Sequence, residues 1–84
     1  MDDKVFNRLQ YLRDELQGKE FALSIGLHHV PGESVEAEII NILSELGRMA
    51  NAYDELGHLR FDIGKSVDSF DHIPILIDLL DEIV

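Results

Sequence analysis

Apolar residues recur along this chain with a seven-residue period. Val35, Ile39, Ile42, Leu46, Met49, Tyr53 and Leu56 form the first run, and after a break at Arg60 the pattern resumes at Ile63, Val67 and Phe70. Steps of four and three residues keep one narrow face of an α-helix apolar. A face of that kind has to be covered, by another part of the chain or by another molecule. The pattern therefore speaks to architecture and to association at once. It predicts a helix from Glu33 to about Phe70, with Gly57 tolerated inside it at a cost of about 1 kcal/mol. Glu33, Glu36 and Glu38 crowd its first turns, where carboxylates offset the positive end of the helix dipole.

Upstream, Val5, Leu9, Leu12 and Leu16 repeat with the helical period from Asp2 to Gln17, and Phe6 widens the face. Asp2 and Asp3 suit a helix start, and Gly18 suits its end. Residues 19–30 read two ways. Phe21, Leu23, Ile25 and Leu27 alternate as a half-buried strand does, while Leu16, Leu23, Leu27 and Val30 continue the helical face. Pro31-Gly32 then marks a turn. At the other end, Asp71 is placed as an N-cap, with Pro74 in the first turn, where its missing N–H does no harm. Ile73, Leu76, Ile77, Leu80, Ile83 and Val84 follow as a wide apolar face, with Asp78, Asp81 and Glu82 turned to water.

These elements predict an all-α fold within one domain over residues 1–84: a helical hairpin turning at Pro31-Gly32, with a short third helix folded against it. The competing reading is a small α+β domain with short strands at 19–30 and 58–63, in which Gly57 ends the second helix. Two short strands alone make a poor sheet, which favours the helices.

Composition narrows the function. Seventeen acids against seven bases give a net charge of −10. That opposes nucleic acid and anionic membrane surfaces, both of which need clustered Lys and Arg. It suits a basic protein partner. With no cysteine, disulfides, thiolate catalysis and cysteine-ligated zinc drop out. No secretory pattern follows the acidic Met1-Asp2-Asp3-Lys4, and no run of apolar residues approaches the eighteen of a membrane span, so the expected address is the cytoplasm.

Catalytic constellations are weak. His28 and His29 are adjacent and diverge in direction on any regular element, which makes a poor chelate. His58 has Asp62 four residues on, and that charge would oppose a phosphoryl group. The pairs Glu33/Glu36 and Asp78/Asp81 each stand one helical turn apart, but on faces expected to be solvated, so no metal site is expected. The expected function is non-catalytic and cofactor-free. It is an acidic interaction module that binds another, basic protein as an inhibitor, immunity factor or regulatory subunit. The expected contact residues are Ile39, Ile42, Leu46, Met49, Tyr53 and Leu56 on the apolar stripe and Asp78, Asp81 and Glu82 on the last helix. The stripe also predicts a coiled-coil homodimer joined along Val35–Phe70.

One local resemblance points elsewhere. Asp68-Ser69-Phe70-Asp71, followed by Ile73, Leu76 and Leu80, resembles the phosphopantetheine site of acyl and peptidyl carrier proteins, and Phe61, Asp62 and Gly64 loosely echo the loop before it. The resemblance covers roughly residues 61–83. It implies a carrier in which Ser69 bears the phosphopantetheine arm and an acidic helix docks basic enzymes.

Overall fold

The computed structural model describes residues 2–26, 29–30 and 33–84. Its helices are α1 (Asp3–Ser24), α2 (Val35–Ala52), α3 (Arg60–Asp68) and α4 (Ile73–Ile83), with 3-10 turns at Asp54–Leu59 and Phe70–His72. The architecture is all-α, a helical hairpin of α1 and α2 against which the shorter helices fold. Each helix runs opposite to its neighbours. On α1 and α2, Arg8 meets Glu45 and Lys19 meets Glu38. On α2 and α3, Arg60 reaches Ala50, and Ile63 lies against Gly47. On α4, Asp81 meets Arg13 of α1, so α4 closes the bundle on the other side of α1.

Both ends of α1 depart from or refine the sequence reading. Asp2 is the N-cap, its carboxylate accepting from the Lys4 N–H at 2.7 Å. The helix then passes through Gly18 and runs on to Ser24, so the strand at 19–30 is overturned for the residues it would need most. Leu16 and Leu23 share the buried side of one continuous helix. The backbone leaves it at Gly26, whose φ of +84° lies in the left-handed region that glycine adopts without a Cβ clash. Extended pairing is confined to β1 (His29–Val30) and β2 (Glu33–Ser34), antiparallel, with His29 opposite Ser34 and Val30 opposite Glu33. The expected turn at Pro31-Gly32 lies outside the described residues. The second helix begins at Val35 rather than Glu33, because Ser34 caps it by accepting from the Ala37 N–H at 3.0 Å.

The long second helix expected over 33–70 is interrupted at Tyr53, where φ −128° and ψ 117° are extended. The chain reverses there and returns as the Asp54–Leu59 turn and α3. A continuous helix over 33–70 would be about 57 Å long at 1.5 Å per residue, against a longest molecular dimension of 36 Å. Beyond the reach of α1, its apolar face would stand in water. Folding back buries Leu56, Leu59 and Ile63 on the same core as Ile39 and Leu46, which explains how the seven-residue phase survives the reversal. Arg60, the break in the stripe, clamps the reversal. Its guanidinium donates from Nε and Nη2 to the Ala50 carbonyl at 3.1 and 3.0 Å, supplying a cation to the carbonyl end of α2. α3 packs against α2 at Gly47, where a Cβ would stand 3.8 Å from the Ile63 Cγ2, an ordinary van der Waals contact. The alternative strand over 58–63 is overturned with the same residues, which are 3-10 and α-helical.

The last helix also starts differently from expectation. Ser69, not Asp71, is the cap. Its Oγ accepts from the Asp71 N–H at 3.4 Å and opens the Phe70–His72 turn. α4 follows from Ile73, with Pro74 in its first turn. Ile73, Leu76, Ile77 and Leu80 then complete a core shared with Val5, Leu9, Leu12 and Leu16 of α1.

Candidate interaction surface

Burial separates the expected contact residues into two groups. Ile39, Leu46 and Leu56 are fully buried, Ile42 nearly so, and Met49 and Tyr53 are half-buried against the same core. The stripe is covered by α1, α3 and α4 of its own chain. The expected two-chain seam along Val35–Phe70 is therefore overturned for Val35, Ile39, Ile42, Leu46, Leu56 and Ile63, which are buried within their own chain, while Val67 of the same stripe is exposed.

The acids remain outside. Asp78 and Glu82 are exposed on α4 and share one outward face with Ile75, at steps of three and four, and Asp71 is exposed in the turn that precedes the helix. Among the described residues no cation stands within ion-pair distance of Asp71, Asp78 or Glu82. Asp81 is different. It lies one step round the helix, toward α1, and accepts a hydrogen bond from the Arg13 Nη1. Arg13 also stands 2.8 Å from Asp14. Sequence reading left this cluster without a base after Lys65. The fold brings Arg13 to it from the far end of the chain, and the hydrogen bond to Asp81 pushes the Arg13 guanidinium pKa above its ordinary value.

A second charged strip lies between α1 and α2. Arg8 grips Glu45 through Nε and, at 2.7 Å, through Nη2, and Lys19 stands 3.0 Å from Glu38. The Arg8 hydrogen bond holds the Glu45 carboxyl below the ordinary 4.5 of glutamate, against a smaller opposing effect of burial. The Arg8 guanidinium also lies 4.9 Å from the Tyr11 ring centre. These groups line a shallow groove of about 300 Å³ floored by Leu12 and Ile42. Its cations, Arg8 and Lys19, are matched to Glu45 and Glu38, and Glu15 lines it beside them.

A third feature was not legible as a site. Where the last turn of α1 meets the start of α4, a groove of about 310 Å³ is lined by Leu23, Phe70 and Pro74, with Glu20, Ser24 and Asp71 at its edges. Phe21 and Ile25 on α1, Val67 on α3 and Ile75 on α4 are exposed on the segments at this end of the bundle, and Phe6, Tyr11 and Phe61 are exposed elsewhere on it. The signal was present in Phe21 and Ile25, which fall opposite Leu16 and Leu23 once the segment is drawn as helix. The alternating reading of 19–30 hid it.

The remaining candidates stay apart. Ser69 is exposed, and its hydroxyl serves as a cap acceptor. His58 is exposed on the reversal. His28 and the side chains of His29 and Glu33 lie outside the described residues. Among the described residues no three His, Asp or Glu side chains converge as a metal site, and no helix is long and apolar enough to cross a membrane. Comparison with protein-family models, with curated proteins and with solved structures returned no match.

Proposed function

We propose that this chain is a non-catalytic, acidic interaction module that binds a basic protein through the outward face of α4, as an inhibitor, immunity factor or regulatory subunit. The observation that carries the reading is the exposed pair Asp78 and Glu82 on one face of α4, with Asp71 exposed in the turn before it and no cation paired to the three among the described residues. A salt-bridged surface charge is already neutralised, whereas an unpaired line of carboxylates presents a field to an incoming molecule. Complementary charge of this kind accelerates encounter and selects partners more than it tightens the final complex. The bundle behind it is packed on a single buried core. The setting proposed for this binding is the cytoplasm.

The test is capture of a partner from the native host on the tagged chain, with the intact mass of the chain measured in the same material. A stoichiometric basic protein is the expected result, with an association rate that falls with added salt and on Asp71→Asn, Asp78→Asn and Glu82→Gln together. An added mass of one phosphopantetheine on Ser69 would replace this reading with a carrier. An association rate indifferent to salt and to the three amides would leave the acids with solubility as their only role.

A further inference from the structure

The groove between the last turn of α1 and the start of α4 combines apolar walls with acids and has no cation in its lining. Leu23, Phe70 and Pro74 form the walls. Glu20 and Asp71 stand at the edges, and neither pairs with a cation among the described residues. The α1–α2 groove, by contrast, is lined by cations as well as acids, in Arg8–Glu45 and Lys19–Glu38 pairs with Glu15 beside them. Next in sequence to the lining residues Glu20 and Pro74 come Phe21, 61% exposed, and Ile75, 49% exposed. A chain of this size has little reason to hold several large apolar side chains in water at one end, and patches of that kind mark contact sites.

We propose that this groove takes a bulky apolar side chain from a cationic amphipathic helix of the partner protein, with that helix's Lys and Arg meeting Glu20, Asp71 and the acids beyond on α4. The inference rests on the reading of the chain as an acidic binder and says where and how the partner is held. Charge decides the occupant. A second copy would bring another net −10 against an acidic rim, and nucleic acid or an anionic lipid surface would be repelled by the same carboxylates. A helix with an apolar stripe flanked by cations satisfies both halves of the surface. The apolar anchor supplies the tightness, because buried apolar anchors dominate interface energies, and the rim charges supply rate and orientation.

The probes are three synthetic peptides of equal length: a leucine–lysine helix, the same helix with leucine replaced by glutamine, and a leucine–glutamate helix. Binding is read by calorimetry at fixed salt, with helicity of each protein variant checked by circular dichroism. The leucine–lysine peptide is expected to bind one to one and the other two at least tenfold more weakly. Phe21→Ser with Ile75→Ser, both exposed and dispensable to the core, should weaken it about tenfold, the loss typical of an apolar anchor contact. Glu20→Gln with Asp71→Asn should weaken it severalfold. The charge-matched control Asp3→Asn with Asp54→Asn, at the opposite end of the bundle, should change it less than twofold. Equal binding of the leucine and glutamine peptides, or equal sensitivity to both amide pairs, would overturn the groove while leaving a diffuse acidic binder standing. Binding of the leucine–glutamate peptide as tightly as the leucine–lysine one would overturn the charge complementarity of both. Self-association abolished by Phe21→Ser with Ile75→Ser, with no peptide bound, would give the groove to a second copy and overturn the proposal.

Discussion

Ser66 sits fully buried among leucines and isoleucines, and its hydroxyl has no hydrogen-bond partner. A buried hydroxyl without a partner carries a desolvation cost of about 1–3 kcal/mol that an alanine would not. Ser66→Ala keeps a good helix former in α3 and is expected to stabilise the fold by about 1 kcal/mol, which for a chain this size raises the melting temperature by about 4–8 °C. A fall in melting temperature would mean that the hydroxyl is satisfied by water. Two glycines make an opposed pair. Gly57 lies in the 3-10 turn with negative φ, and a Cβ there would meet nothing within 4 Å. Gly57→Ala should therefore stabilise by about 0.5–1 kcal/mol, by narrowing the unfolded ensemble. Gly26 has equally open space but φ +84°, so Gly26→Ala should destabilise by about 1 kcal/mol. Thermal unfolding of the two variants checks both signs. At this scale the sequence was partly readable. Asp2 as a helix start was legible because an acid there has one obvious use. Asp68-Ser69 was legible as a capped helix start, whereas Ser34 as a cap was not, since Glu33 beside it suits the same helix start on paper.

Hydrophobic period reveals which face of a helix is apolar, and says nothing about whether the axis continues. That is why α2 was legible through Ala52 and its reversal at Tyr53 was not: no proline or glycine stands there, and Leu56 and Ile63 keep the phase after the chain has turned back. Arg60 was visible only as a defect in the stripe, and its role on the Ala50 carbonyl required the fold. The same limit misplaced the contact site, because an uncovered stripe and an internally covered one look identical in sequence. Leu46 separates the two outcomes. It is fully buried at the centre of α2, and an aspartate there would be an unpaired buried charge costing several kcal/mol, a large part of the stability of a small domain. Leu46→Asp should abolish the helical circular dichroism; a folded, merely dissociated chain would restore the two-chain seam. The α1–α2 hairpin also carries an acid sensitivity. Arg8 lowers the Glu45 pKa in the folded state, so the pair stabilises above the ordinary glutamate value of 4.5 and loses its effect as pH falls through the lower folded value. Glu45→Gln should lower the melting temperature near neutral pH and narrow its gap from the parent as pH drops below that range. A gap that stays constant with pH would show that the Arg8 grip does not depend on charge.

Across the whole molecule, cations are scarce and mostly committed. Arg8, Arg13 and Lys19 bind the helices together through Glu45, Asp81 and Glu38, Arg60 holds a backbone carbonyl, and the Lys65 ammonium lies 4.2 Å from the Phe61 ring centre. The surplus of acids, net −10, is left to repel itself around a bundle only 23 by 19 Å in section. Salt acts on these two populations unequally. The screening length is about 30 Å at 0.01 M and 3 Å at 1 M, so repulsion across the bundle is removed long before contact pairs about 3 Å apart are affected. Self-repulsion destabilises the compact state more than the open chain, where the same charges stand farther apart. Sodium chloride, raised from about 0.01 M to about 0.5 M, should therefore raise the melting temperature by several degrees. Replacing Asp71, Asp78 and Glu82 by their amides should raise the low-salt melting temperature and shrink that salt response, because these exposed acids have no paired cation among the described residues. A melting temperature that falls with salt would mean that the interhelical ion pairs outweigh the repulsion. The acidic face would then carry no stored cost for a basic partner to relieve on binding.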